Sequence, residues 1–541
     1  MRSLKLLLLA SAAGLLVVSA AAAADLPTKK TPPVAEKPNC YATFWSWLDS
    51  TAADCPLSVA GITVYGTIDV GGGYETHATK FNNSYSNGVS ELINKNSGDA
   101  KWQWVPNGLS QSNIGVKIKE QVAPNWYIVG DANFGFDPYS FDAANGPQSL
   151  LDNNLQTNYL AQSANGDSSR AGQWDNTRAY LGVSNPSYGT LTFGRQYTFS
   201  NDLSSTYDPF GGAYAFSLIG TSGTVEQGTG MTETARYNTS FKYVYNNNGF
   251  RAGAIAQVGG WEQGNGAKDA FQLDLGGDWN GFSIDAVYAY AEDAVKLSTF
   301  NGATKGPLTN TALGNDDLKA TLANVNAGII AAKYKWDKLT LFSGYEYAQL
   351  STPSDLAGIF GPNWNKSGTS MPSGDGQAFT FNDGYIGIVQ PNAYVKPDIQ
   401  QVVWIGAKYA ILSNLDAAVG YYYEWQNNYT AVGPGGTLAD QGYTYLNTGN
   451  PAACGPSMTT GASQAGYSTT AVANANHSSC AGYQEAISGM LDWRPVKRVD
   501  VYGGVMYSEF TGGFANASNS KGFAAANTNN TAFTGGVRVA F

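Results

Sequence analysis

From residue 62 onward the chain alternates apolar and polar positions with a period of two. In FQLDLGGDW, residues 271–279, Phe271, Leu273, Leu275 and Trp279 fall on one face, and Gln272, Asp274 and Asp278 on the other. That is the pattern of a strand whose side chains point alternately to the two sides of a sheet. NIGVKIKE sets Ile114, Val116 and Ile118 against Lys117 and Lys119. LDAAVGYYYEWQ sets Leu415, Ala417, Val419, Tyr421, Tyr423 and Trp425 against Asp416, Tyr422, Glu424 and Gln426. RVDVYGGVMYSE sets Val499, Val501, Val505 and Tyr507 against Asp500, Tyr502 and Ser508. Sixteen such runs are predicted, at 62–72, 111–121, 125–135, 177–185, 188–196, 234–246, 249–260, 268–279, 281–292, 321–335, 338–350, 398–409, 414–427, 481–493, 497–510 and 531–541.

The connections alternate in length. Seven are tight turns (APN, NPS, NNN, WNG, WDK, ILSN and RPVK), and nearly all between them are long, such as 136–176, 351–397 and 428–480. Short turns at one end, long loops at the other and an even strand count predict an all-β fold: a transmembrane antiparallel β-barrel of sixteen strands. A soluble sandwich or adhesin has no reason to sort its loops in this way. Lipid offers no hydrogen-bond partners, so a spanning sheet must close on itself. Trp126, Trp279, Tyr334, Trp336 and Trp493 stand beside the short turns, where aromatic girdles meet the headgroups.

Composition narrows the reading. Charged residues are 13% of the chain, and Gly (64), Tyr (33) and Trp (13) are abundant, which suits such a barrel better than an ordinary soluble domain. MRSLKLLLLASAAGLLVVSAAAAADLP has a basic start, an apolar run and an Ala22-Ala23-Ala24 site. Residues 1–24 are therefore expected to be a secretory signal peptide. The formal charge is −10, and it becomes more negative by two when Arg2 and Lys5 leave with that segment. This sign argues against nucleic-acid partners and gives a weak lean toward cation preference in a channel. Residues 25–61 are expected to form a linker and a disulfide-closed knot, ahead of a barrel domain at 62–541. The four cysteines fall into two local groups, which predicts the pairs Cys40–Cys55 and Cys454–Cys480 in an oxidising compartment. With wide cysteine spacings and only two histidines, His77 and His477, no metal or cofactor is expected.

One connection stands out: GRQYTFSNDLSSTYDPFGGAYAFSLIGTSGTVEQGTG, between the fifth and sixth runs. Together with SNIGVKIKE, RAYLGVSNPSYGTLTFGRQYT and the terminal GGVRVAF, it resembles the general bacterial porins. CYATFWSWLDSTAADCPLS ahead of GITVYGTIDV resembles the alphaproteobacterial members. The resemblance implies that the third long loop, 197–233, folds into the lumen, with its carboxylates facing a ladder of basic residues. The family's Glu after Pro209 is absent, so Asp208 and Asp202 are the candidate constriction carboxylates, with Glu226 at the loop's exit.

For the opposing ladder, parity places Lys117, Lys119, Arg178 and Arg236 toward the lumen. Arg195 falls by parity with Leu191 and Phe193 on the lipid side, where a charge costs about 2–4 kcal/mol near the midplane. A bulge at Gly194 would turn it inward. The resemblance further implies a homotrimer in outer-membrane lipid and lipopolysaccharide, and Phe541 as a residue read during outer-membrane assembly.

The function expected is passive diffusion of small hydrophilic solutes and ions. A substrate-specific channel for sugars or organic acids is the alternative, with Tyr65, Tyr127, Tyr180 and Tyr422 inward by parity. A structural or adhesive barrel is another. Neither His77 nor His477 has a Ser and Asp arrangement around it that would indicate an enzyme. No phosphate-binding Gly-Lys motif or large plug domain points to active transport.

Overall fold

The computed structural model describes residues 39–77, 100–139 except 106 and 137, 175–219, 236–258, 267–299 except 268, 318–352 with 354, 388–432 except 392, 436–438, 443–445, 481–512 and 529–541. The expected signal peptide, Cys454, Cys480, His477 and Glu226 lie outside the described residues.

Sixteen strands form a closed antiparallel barrel: β1 Ile62–Glu75, β2 Asn113–Ala123, β3 Trp126–Gly135, β4 Asp175–Asn185, β5 Gly189–Tyr197, β6 Arg236–Asn247, β7 Phe250–Gln257, β8 Asp269–Trp279, β9 Phe282–Thr299, β10 Leu318–Trp336, β11 Leu339–Ser351, β12 Asp398–Leu412, β13 Leu415–Gln426, β14 Gly482–Val496, β15 Val499–Gly512 and β16 Asn529–Ala540. Each pairs with its neighbour in sequence, and β16 closes on β1 from Thr67↔Ala540 to Glu75↔Ala532. Closure leaves no sheet edge to lipid. Two short turns use Asn-Gly with positive φ at both residues, Asn248-Gly249 (51° and 82°) and Asn280-Gly281 (51° and 83°), the geometry that matches the twist of a two-residue hairpin.

The outward rows are the apolar ones read from the sequence. Phe271, Leu273, Leu275, Ile114, Val116, Val419 and Leu491 are exposed in the chain alone, as are Trp126, Trp279, Trp336 and Trp493 near the turns. The largest fully buried side chains are Trp404, Tyr207, Tyr237, Tyr422, Phe216, Leu218 and Ile219. The core is therefore not a sheet-on-sheet layer. It forms where a connecting segment meets inward-facing wall residues.

Several features depart from the alternation reading, among them one at each end of the barrel. β9 and β10 run on as a long hairpin past 292 and before 321, paired from Ala294↔Ala323 to Thr299↔Leu318 after a register shift between Ala291 and Ala294. A bulge flips the phase of the side chains, so a period-two pattern ends there although the hairpin continues. At the other end, Leu57–Val59 pairs with Ile62–Val64 and so adds three residues of the N-terminal segment to the barrel sheet. It covers the edge of β1 beyond the reach of β16. Phe541 makes the last seam contact, with reciprocal backbone bonds to Gly66 of 2.9 and 3.0 Å. Its ring lies over Gly66, where a Cβ would come within 2.4 Å of it.

The N-terminal knot holds the expected Cys40–Cys55 disulfide, with Cα atoms 6.3 Å apart. Its one helical turn, α1 Phe44–Leu48, is capped reciprocally by Thr43 and Ser46. The knot docks on the short β14–β15 turn. Arg498 donates to the carbonyls of Trp47 (2.9 Å), Thr51 (3.1 Å) and Cys55 (2.7 Å), and lies over the Trp47 ring at 4.3 Å.

Candidate functional site: the lumen and its third long loop

After β5 the chain forms a helix, α2 Phe199–Tyr207, started by Thr198, which accepts from the Asn201 amide. Phe199, Leu203 and Tyr207 recur at helical spacing, and with Ser200 and Ser204 they make the buried face. Pro209 follows two residues past the end and stops the helix.

That face lies on the inward rows of the wall. On β13 the inward row is clear: Tyr422 is buried while its neighbours Val419 and Tyr421 are exposed. Gln272 on β8 accepts from the Ser200 amide at 3.0 Å and donates to its hydroxyl at 3.1 Å. Tyr207 shares a bond with Ser283 (2.8 Å) and donates to Asp285 (2.6 Å), both on β9, and accepts from Arg251 on β7 (3.1 Å). Lys333 on β10 donates to the Thr206 carbonyl at 3.3 Å, and Trp404 on β12 to the Tyr207 carbonyl at 3.0 Å.

Two wall glycines make room for loop rings. A Cβ on Gly253 would sit 2.3 Å from the Phe199 ring, and one on Gly420 would sit 2.8 Å from the Phe210 ring and 3.0 Å from Pro209. Farther on, the Ala215 amide donates to the Gly108 carbonyl at 2.9 Å, and Phe216 meets Tyr502 of β15 edge-on at 6.1 Å.

The two loop carboxylates have different surroundings. Asp202 is half exposed and accepts from Lys242 Nζ of β6 at 2.8 Å. Asp208 is 2% exposed. It accepts from Tyr422 and from the amides of Phe210 (3.0 Å) and Gly212 (2.8 Å). Burial pushes its carboxyl up to about 6, and the hydrogen bonds from Tyr422 and the Gly212 amide limit the rise. Asp208 thus clasps the Asp-Pro-Phe-Gly-Gly turn to β13. The outer face of α2 carries Asp202, Ser205 and Thr206.

The other wall carries the basic residues. Lys117 and Lys119 on β2 are exposed, with Lys117 Nζ 4.3 Å over the Tyr65 ring and Lys119 Nζ 5.1 Å over the Tyr127 ring. Arg178 on β4 donates to the Tyr65 hydroxyl (2.9 Å) and lies 3.4 Å from Asp131. The Tyr197 ring stands between Arg178 at 4.8 Å and Arg236 at 5.1 Å. So Lys117, Arg178 and Arg236 come together on one stretch of wall, with Lys119 next along β2. At Gly194 φ is +134°, and the register shifts between Gly194 and Gln196. The ladder sets Arg195 opposite Ala179, and its guanidinium donates to Asn238.

Alternation missed several partners. Lys242, Arg251 and Asp285 hold the loop, and Asp131 holds Arg178. A second group sits at the short-turn end: Asp416 with Lys408 (3.3 Å) and Arg494 (2.9 Å), Arg494 with Asp492 (3.0 Å), and Arg538 with Asp500 (2.8 Å). Parity gave the inward face of Asp416, but the turn-proximal position of all six was the signal available for the cluster. Among the described residues no group of three or more His, Cys, Asp or Glu side chains could hold a metal ion.

A closed sixteen-strand barrel with an apolar outer belt and a charged lumen defines an outer-membrane channel. The Gram-negative porin family model matches residues 10–371, and the chain belongs to that family. It is 24% identical over 333 residues to an outer membrane porin protein of Bordetella pertussis, covering 60% of this chain and 72% of that protein. Among solved structures, an anion-selective porin from Comamonas acidovorans is 12% identical with a TM-score of 0.47, covering 89% of this chain and 99% of that one. OmpT, an outer membrane protein of Vibrio cholerae, is 13% identical with a TM-score of 0.47, covering 90% of this chain and 100% of that one. The protein is an outer-membrane porin.

Proposed function

We propose that this porin passes small hydrophilic solutes and ions by passive diffusion, and that the segment after β5 narrows its lumen. The observation that carries this is the seating of residues 199–216 on inward rows from β6 to β15. A sixteen-strand barrel is wide enough for an aqueous channel, so a segment held on one side leaves the passage between itself and the Lys117–Arg178–Arg236 wall. Asp202, Lys117, Lys119, Arg178, Arg195 and Arg236 are its candidate charge-setting residues. Asp208 belongs to the clasp.

The channel works as a homotrimer in outer-membrane lipid and lipopolysaccharide, with residues 62–541 as its pore domain and Phe541 read during assembly. Outward apolar rows supply the lipid contact, and the Phe541–Gly66 seam bonds give the terminal residue a structural role as well. Liposome swelling with neutral solutes of graded size tests the main reading. Entry should fall smoothly with solute size and rise linearly with concentration. Saturation at low concentration of one solute would favour the substrate-specific channel instead.

A further inference from the structure

We propose that the wall from β1 to the start of β6 is a track for small organic anions that carry a planar apolar body, such as aromatic carboxylates. This rests on the channel reading above. Three cation–aromatic pairings follow one another on this wall: Arg178 and Arg236 about Tyr197, Lys117 over Tyr65, and Lys119 over Tyr127. Lys117 and Lys119 are two residues apart on one strand, so their Cα atoms are about 7 Å apart. An aromatic face steadies an ammonium group without neutralising it. A carboxylate would cancel its charge.

Three carboxylates among the described residues of the loop and this wall have other partners. Asp131 accepts from Tyr65 at 2.5 Å and pairs with Arg178 at 3.4 Å. Asp202 pairs with Lys242 at 2.8 Å, and Asp208 is buried in its clasp. Among the described residues neither Lys117 nor Lys119 has an ion pair. The exposed face of α2 carries Ser205 and Thr206 beside the paired Asp202, so among the described residues the two ammonium groups of Lys117 and Lys119 keep their charge although the chain's formal charge is −10. A carboxylate on a solute can pair with either ammonium while its ring slides along the tyrosine edges.

The test uses the full protein in planar bilayers. In a potassium chloride gradient the reversal potential should report anion preference, and Lys117→Gln with Lys119→Gln should reduce that preference severalfold. Benzoate added at equal concentration should interrupt chloride current severalfold more often than acetate, and Tyr65→Leu with Tyr127→Leu should bring benzoate down to the acetate level. The benzoate–acetate comparison on the unaltered protein needs no variant to fold. Cation preference in the unaltered channel, or equal effects of benzoate and acetate, overturns the track and leaves the channel reading standing. Absence of any conductance from assembled barrels overturns both.

Discussion

The two walls of the lumen are built on opposite plans. From β6 to β13 the inward side chains are committed to the protein itself: Lys242 to Asp202, Gln272 to Ser200, Asp285 and Arg251 to Tyr207, and Trp404 and Tyr422 to the turn at 207–208. From β1 to β5, Lys117 and Lys119 stay exposed beside tyrosine rings. One wall is a socket; on the other, Lys117 and Lys119 face water while Asp131 beneath them is buried against Tyr65 and Arg178. The charged residue types are similar on both. The difference lies in whether a polar group is buried, when it must be paired, or hydrated, when it is free to meet a solute. Asp208 and Asp202, six residues apart, fall on either side of that divide.

The socket should be the fragile wall. Asp208→Ala leaves the Tyr422 hydroxyl and two amides without their acceptor in a dry site, a loss of roughly 3 kcal/mol. It should also raise hydrogen exchange across residues 199–216, whereas Lys117→Ala should leave exchange there unchanged. Equal exchange for the two variants would erase the distinction between the walls. Gly253→Leu drives a side chain into the Phe199 ring and should cost about 2 kcal/mol in denaturant unfolding from detergent. Phe199→Ala in the same chain should restore part of that loss; no rescue would show that the ring does not seat on Gly253. Tyr422→Phe removes one donor from the clasp and should cost about 1 kcal/mol.

The smallest effect is one of pH. A carboxyl raised from 3.8 to about 6 favours the folded loop most below the unfolded value, and that contribution is lost as pH rises through the folded one. Loop protection should therefore weaken between about pH 4 and pH 6, and Asp208→Asn should flatten this part of the profile. An unchanged profile in Asp208→Asn would assign the dependence to another group.

Strands and their faces were legible because a sheet has a fixed period of two, and Ile114 to Ile118 or Phe271 to Trp279 express it without interruption. The Asn-Gly turns were legible because positive φ restricts the choice of residue. The extension of β9 and β10 was not, since the shift at Ala291–Ala294 breaks the phase. α2 left a faint trace in Thr198, Phe199, Leu203, Tyr207 and Pro209, but its polar composition reads equally as a loop. The clasp left none. Tyr207 and Trp404 are 197 positions apart and Asp208 and Tyr422 are 214, and alternation assigns no direction to side chains outside a strand. For the same reason Asp208 reads as a lumen charge in sequence and sits in a buried clasp in the structure.

The central claim, that the seated segment sets the narrowest part of the channel, is tested most directly by single-channel conductance of the protein and of a variant lacking residues 203–219. The account predicts that removing the segment raises conductance and the size limit for neutral solutes together. Unchanged conductance and size limit in an intact barrel would contradict it.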